Sequence, residues 1–389
     1  MTSREEIEGR VARVQRELQG LTLDGAIFIH PIDVYYFSGT RQNGALWVPA
    51  AGAPILMVRK SLARAREEAS FGEVRPFPSS KELPTLLPAT ARRIGMTFDV
   101  VPVQQHQYYA KLLPGRELVD LTAANRALRS VKSPWELERM AAAGARTSEV
   151  FATVPEYLRP GLREVDLAAE FEGRLRRAGS EGYVRMRAFN QELFHGLAVA
   201  GGSAAAPGFF DGAVTGSGLS SAAPHGASRS VIERDVPVLV DYTGIFDGYI
   251  VDMTRLYVCG RLDDDLARAF SAALAIQQWL VERLVPGAIC EELFAGAAAL
   301  AEESGFGAHF MGAPGENARF VGHGVGLELD ELPVLAQGFR QPLVAAQTIA
   351  IEPKFVFPGR GVVGIENTFA VGERGGVKLT DRPDDLVVL

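Results

Sequence analysis

Cysteine, basic charge and long apolar runs are all scarce in this chain of 389 residues, and each scarcity excludes something. The 2 cysteines, Cys259 and Cys290, are too few for a disulfide framework, which fits a reducing compartment. Lysine and arginine number 40 against 47 aspartates and glutamates, a net charge of −7 with no basic run or tail. A chain of that balance has no electrostatic footprint for nucleic acid or an anionic membrane surface. No uninterrupted apolar run approaches the length of a membrane span. The stretch Met1-Thr-Ser-Arg-Glu-Glu-Ile-Glu-Gly-Arg10 reads as a charged helix start, with no apolar signal core behind it. The expectation is a cytoplasmic protein. What is there is ordinary: 47% apolar and 22% charged residues, enough chain for two domains and a large core.

The first part alternates. An amphipathic helix near 4–18 precedes apolar strands at Gly25–Ile29, Val34–Gly39, Ala45–Val48 and Pro54–Val58, with helices at Ser61–Ala69 and Glu82–Leu87 between and after them. This predicts a small α/β domain over residues 1–130, without a cluster of metal ligands; His30 and His106 stand alone in it. A boundary follows at Lys132. Ser133, Pro134 and Glu136 make a helix start with a capping box, and the helix runs to about Val154. Leu158-Arg-Pro-Gly161 breaks it, and a second helix covers about Glu164–Ala178. The pattern returns 126 residues later, with Pro286-Gly287 on Pro160-Gly161 and Gly305 on Gly179. Residues 131–389 therefore predict two similar halves about a pseudo-twofold axis, helices outside and antiparallel strands inside. Between Glu192 and Pro224 the chain is rich in Gly, Ala and Ser, as a long loop would be.

Two hairpins carry the chemistry. Val236–Arg255 turns at Asp247-Gly248 and holds Asp241 and Asp252. If residue i faces 493 − i the two are directly opposite; if the turn is Asp247-Gly248 itself the sum is 495 and they lie diagonal. Either register puts both carboxylates on one face, where like charges need a cation. The second hairpin turns at Pro358-Gly-Arg-Gly361 and sets Glu352 opposite Glu366. Ahead of it His323 stands between glycines in Gly322-His-Gly324, where backbone can approach the imidazole closely. Four carboxylates and one imidazole are mostly hard ligands and suit two divalent ions of the manganese, iron or cobalt type. Two bridged ions can hold a hydroxide and stabilise an oxyanion.

The order and spacing of Asp241, Asp252, His323, Glu352 and Glu366 resemble the pita-bread metallopeptidases, which include aminopeptidase P, prolidase, methionine aminopeptidase and the metal-free creatinase. The resemblance spans nearly the whole chain, with Asp33–Gly39 matching the creatinase-type amino-terminal domain. It implies an α+β protein: a small α/β domain, then a pita-bread domain whose curved antiparallel sheet is covered by helices. It implies that Asp241 binds one ion and His323 the other, that Asp252 and Glu366 bridge, and that Glu352 binds and shuttles a proton. Manganese comes first among the ions it implies, with cobalt, iron or zinc as alternatives, in a homodimer. His225 matches a substrate-contacting histidine, and Thr254, on the face of Asp252, a hydrogen-bond partner of the ligands.

The departures are local. Asp330 stands where a substrate-binding histidine is usual, Arg319 where aminopeptidase P often has histidine, and Gly364 where arginine usually precedes the last glutamate. An aspartate at 330 cannot donate to a developing oxyanion, so it would favour a cationic substrate group or pair with Arg319. The function implied is hydrolysis of Xaa-Pro peptide bonds. The departures motivate an alternative, hydrolysis of a non-peptide C–N bond in a small amide metabolite. A non-catalytic binding protein is the third reading, disfavoured because a binding scaffold has no need of paired carboxylates.

Overall fold

The computed structural model describes residues 2–187 and 195–389. It divides into two compact units. One holds the chain up to Arg129 together with Arg187, the other Ser130–Met186 and the chain from His195 onward.

The first unit is built on a six-stranded mixed sheet. Its strands run in the spatial order Glu73–Pro76, Ile55–Val58, Gly44–Pro49, Gly25–Phe28, Arg93–Met96, Glu117–Asp120. Ile27, Trp47, Met57 and Ile94 are buried from four of these strands into one core with Leu83 and Leu113. The segment expected as a strand at Val34–Gly39 is instead a helix, Pro31–Ser38. Local signals explain the correction: Pro31 is pre-set for a first helical turn, and Gly39 ends it at φ 78°. Apolar periodicity alone could not separate a short buried helix from a strand.

In the second unit the capping box forms. Ser133 Oγ accepts from the Glu136 amide at 3.1 Å, the Glu136 carboxylate accepts from the Ser133 amide at 2.9 Å, and the helix Pro134–Ala152 follows. The later helices Glu164–Arg177 and Cys290–Glu303 lie 126 residues apart, with Gly161 at φ 90° and Gly287 at φ 91° before them. The earlier pair, Pro134–Ala152 and Asp264–Glu282, is offset by four more residues, because the first half inserts a single 3₁₀ turn, Val154–Glu156. The stretch expected as a loop from Glu192 to Pro224 holds two short elements. Glu192–Phe194 lies outside the described residues, Gly196–Ala200 pairs with the long hairpin as a strand, and Gly201–Ala204 is a turn of helix.

The sheet is assembled from three ladders. Pro237–Phe246 and Tyr249–Val258 form the long hairpin of a four-stranded ladder. Phe320–Gly324, Glu331–Ala336, Thr348–Ile351 and Asn367–Ala370 belong to a five-stranded one, and Lys354–Phe357 with Gly361–Gly364 form a third. An isolated bridge, Thr254 to Glu366, joins the long hairpin to the second half. Below it an apolar core from Leu239, Leu256, Phe270, Ile276, Ile349 and Phe355 packs the helices on the sheet. No helix among the described residues is long and apolar enough to cross a membrane.

Candidate metal centre

The hairpin register is the one with Asp247-Gly248 as its turn. Asp241 pairs with Thr254 and Asp252 with Thr243, so the two carboxylates are diagonal on one face. Asp247 and Gly248 both take positive φ, 51° and 85°, as a two-residue hairpin turn needs. In the second half Ile351 pairs with Asn367 and Lys354 with Gly364, which sets Glu352 across from Glu366. Both hairpins meet at the Thr254–Glu366 bridge. The Thr254 amide donates to the Glu366 carbonyl at 3.2 Å, and its hydroxyl to Glu366 Oε2 at 2.9 Å. Thr254 thus holds Glu366 by both its backbone and its side chain.

His323 is aimed by its other nitrogen. Its Nδ1 lies 3.2 Å from the Leu329 carbonyl, which makes Nδ1 the donor and leaves the Nε2 lone pair for a ligand. Nε2 faces Glu352 Oε1 at 3.5 Å and Glu366 Oε1 at 3.9 Å. Among the described residues Asp252, His323 and Glu366 each offer a ligand atom within 4.8 Å of the others, and all three are buried. That donor set fits one divalent ion.

Asp241 and Glu352 have a different partner, one not foreseen. Lys354 Nζ donates to Asp241 Oδ2 at 2.9 Å, to Glu352 Oε2 at 2.8 Å and to Glu366 Oε2 at 2.8 Å. Its side chain is 3% exposed. A signal was present: on a strand, residues two apart share a face, so Lys354 follows Glu352 into the site. Arg255 was missed as well. Its buried guanidinium donates to the carbonyls of Thr254 at 2.7 Å and Glu366 at 3.1 Å, and to Asn367 Oδ1 at 2.9 Å, pinning the bridge from beneath. Thr368 serves Asp252 similarly, accepting from its amide at 2.8 Å and donating to its carbonyl at 3.1 Å.

Charge at the centre is unbalanced. Burial, reinforced by Glu366 and Asp241, pushes the Asp252 carboxyl well above the ordinary range. Burial likewise raises Asp241 and Glu366, although Lys354 opposes it at both. Burial disfavours charge on His323 and Lys354, yet the surrounding carboxylates outweigh it and raise both. Carboxyls crowded together in this way are places where a further cation would bind.

The residues expected to line a pocket take the following places. Asp330 Oδ1 is 3.5 Å from His323 Nδ1, on the side of the ring away from the ligand nitrogen. It forms no ion pair with Arg319 among the described residues; Arg319 is exposed at the entry to its strand, where its carbonyl accepts from Gln337. The reason is the loop 325–330, which folds back so that the Leu329 amide donates to the Arg185 carbonyl and the Glu331 carboxylate accepts from the amides of Leu327 and Glu328. His225 sits on the loop after Gly201–Ala204, its ring edge-to-face with Phe209 at 5.5 Å.

The profile of metallopeptidase family M24 matches residues 138–373, and that of the creatinase/prolidase N-terminal domain residues 10–131. A probable dipeptidase PepE of Mycobacterium bovis is 29% identical over 94% of this chain and 92% of its own length. An Xaa-Pro dipeptidase of Pyrococcus furiosus is 26% identical over 97% of this chain and 99% of its own. Among solved structures, dipeptidase PepE of Mycobacterium ulcerans superposes with a TM-score of 0.82 at 26% identity, covering 100% of this chain and 99% of that one.

Proposed function

The chain belongs to metallopeptidase family M24, and on that premise we propose that it hydrolyses the Xaa-Pro bond of short peptides as a dipeptidase or aminopeptidase. The observation that carries the reading is the convergence of Asp252, His323 and Glu366, buried, with the imidazole tautomer set by the Leu329 carbonyl. Those three residues would hold a divalent ion, of manganese type first and cobalt, iron or zinc otherwise. Bound there, the ion supplies Lewis-acid polarisation of the scissile carbonyl and compensates charge. Of the two ions expected, the donor set fits this one; the oxygens left for the other already accept from Lys354.

The remaining steps fall to side chains. Glu352 turns Oε1 toward His323 Nε2 and Oε2 toward Lys354, so it sits at the reacting edge with a fixed orientation, suited to take a proton from attacking water and return it to the leaving nitrogen. Thr254 and Arg255 hold Glu366 in place, and burial keeps bulk water from the carboxylates. Cytoplasmic location and a homodimer are part of the proposal, motivated by the scarcity of cysteine and by the family resemblance.

The second reading, hydrolysis of a small amide, gains from one observation: an ammonium stands amid the carboxylates. The two part in one experiment. The protein is treated with chelator, reloaded with manganese or cobalt, and offered Xaa-Pro dipeptides, longer Xaa-Pro peptides and small amides, with products read by mass spectrometry. Metal-dependent release of the Xaa residue from a prolyl peptide is the expected result. Turnover of amides alone would select the second reading, and no metal-dependent turnover of any of them would sink the first.

A further inference from the structure

Lys354 is a charged side chain at the centre to which the function above gives no task beyond orienting Glu352. Its three N–H bonds are all spent, one each on Asp241, Glu352 and Glu366. The two glutamates divide their oxygens. Each gives Oε2 to the ammonium and turns Oε1 toward His323 Nε2. A carboxylate shared in this way between two cation positions is a bridging ligand, and here one of the positions is filled by a covalently attached cation. Resting on the metal-centre reading above, we propose that Lys354 stands permanently in the place of one of two metal ions, so that the centre takes a single exchangeable ion, at Asp252, His323 and Glu366.

Geometry supports exclusion and not mere proximity. An ion bound through Asp241, Glu352 and Glu366 would lie about 2.0–2.2 Å from each oxygen, inside the volume that Nζ occupies. Charge agrees with geometry. Four carboxylates, Asp241, Asp252, Glu352 and Glu366, face one ammonium, and one divalent ion then brings the cluster close to neutrality.

The ammonium also has its own cross-strand accommodation. Lys354 pairs with Gly364 in the short ladder. A Cβ on Gly364 would meet Lys354 Cγ at 2.6 Å, Lys354 Cα at 2.8 Å and the Pro353 carbonyl at 2.8 Å. Gly364 is the position where the resemblance leads one to expect arginine. Lysine on one strand thus lies across from a residue with no side chain on the other, and that bare position gives its stem room to enter the ligand cluster.

The test counts ions. Full-length protein, Lys354→Met and Lys354→Gln are stripped with chelator and titrated with manganese. Bound metal per chain is measured by mass spectrometry and calorimetry, and circular dichroism confirms that each is folded. The unaltered chain is expected to bind one ion and a folded Lys354 variant two. Lys354→Gln keeps the test open should Lys354→Met fail to fold, because its amide still donates to the buried carboxylates without carrying a charge. Two ions on the unaltered chain, or equal counts with and without Lys354, would overturn the proposal while leaving the metal centre standing. No ion on any variant would overturn the metal centre itself, and this proposal with it.

Discussion

Asp33 in the first unit and Lys354 in the second are both buried charges held by side chains of opposite sign, yet they balance differently. Asp33 accepts from Arg129 at 3.0 Å, Arg187 at 2.9 Å, Asn125 at 2.9 Å and Thr97 at 3.1 Å, and Arg187 also pairs with Asp99 at 2.7 Å. Among the described residues two carboxylates meet two guanidiniums, with His30 Nδ1 3.7 Å from Asp33. Burial would raise the Asp33 carboxyl, but Arg187 and Arg129 outweigh it and hold it well below its ordinary range. Around Lys354 one ammonium meets an excess of carboxylates, and Asp252, Asp241 and Glu366 are pushed up instead of down. A closed charge account is what a structural network needs, whereas an open one leaves a place for a cation from outside.

The sharpest way to break the comparison is Asp33→Asn. Removing the anion withdraws a charge that two buried guanidiniums share, and the loss expected is about 3–5 kcal/mol, read from denaturant unfolding. The effect has a direction in pH. A folded pKa below the unfolded value contributes stability that is present above about pH 3.9 and lost as pH falls beneath it. The gap between parent and variant should therefore narrow on acidification below about pH 4. A gap constant down to the acid transition would show that Asp33 is not held ionised by its arginines.

Lys354→Met tests the other side. In chelator the variant should lose about 1–3 kcal/mol, since acceptors lose their donor but can take up protons. Manganese at 100-fold excess over each dissociation constant should then return about 2.7 kcal/mol beyond what the parent gains, from the second ion, by mass action. Asp33→Asn should show no such additional recovery. If the metal rescued Asp33→Asn and not Lys354→Met, the distinction between closed and open clusters would be wrong.

Thr254→Val removes the hydroxyl from Glu366 Oε2 and should weaken ion binding about 10- to 100-fold with little change in fold, as measured by calorimetry. Smaller still is the effect of Asp330→Asn. The Leu329 carbonyl keeps the imidazole tautomer, so affinity should fall less than about tenfold. A loss as large as that of Thr254→Val would mean that the Asp330 charge, and not the carbonyl, sets His323.

Much of this was legible in the chain. Period-two alternation put each carboxylate pair on one face, Ser133 and Glu136 announced a helix, and Asp247-Gly248 marked the hairpin turn that the structure shows. Lys354 was legible too by the same alternation, though nothing local distinguishes a lysine entering a ligand cluster from one escaping to solvent. The Val34–Gly39 segment misled because a short apolar run fits both periods, and its proline and glycine decided for the helix.

By itself the sequence determined the hairpins, the donor types and the face each donor takes, because these follow from chain-local geometry and chemistry. Tertiary structure alone decided which cation the donors meet. The Thr254–Glu366 bridge brings strands 112 residues apart to one point, the fold-back of 325–330 turns Asp330 to the rear of His323, and the bare Gly364 lets Lys354 lie across it. Each of these is a contact between distant segments, set by packing and by the need to satisfy buried polar groups, and no local pattern carries it.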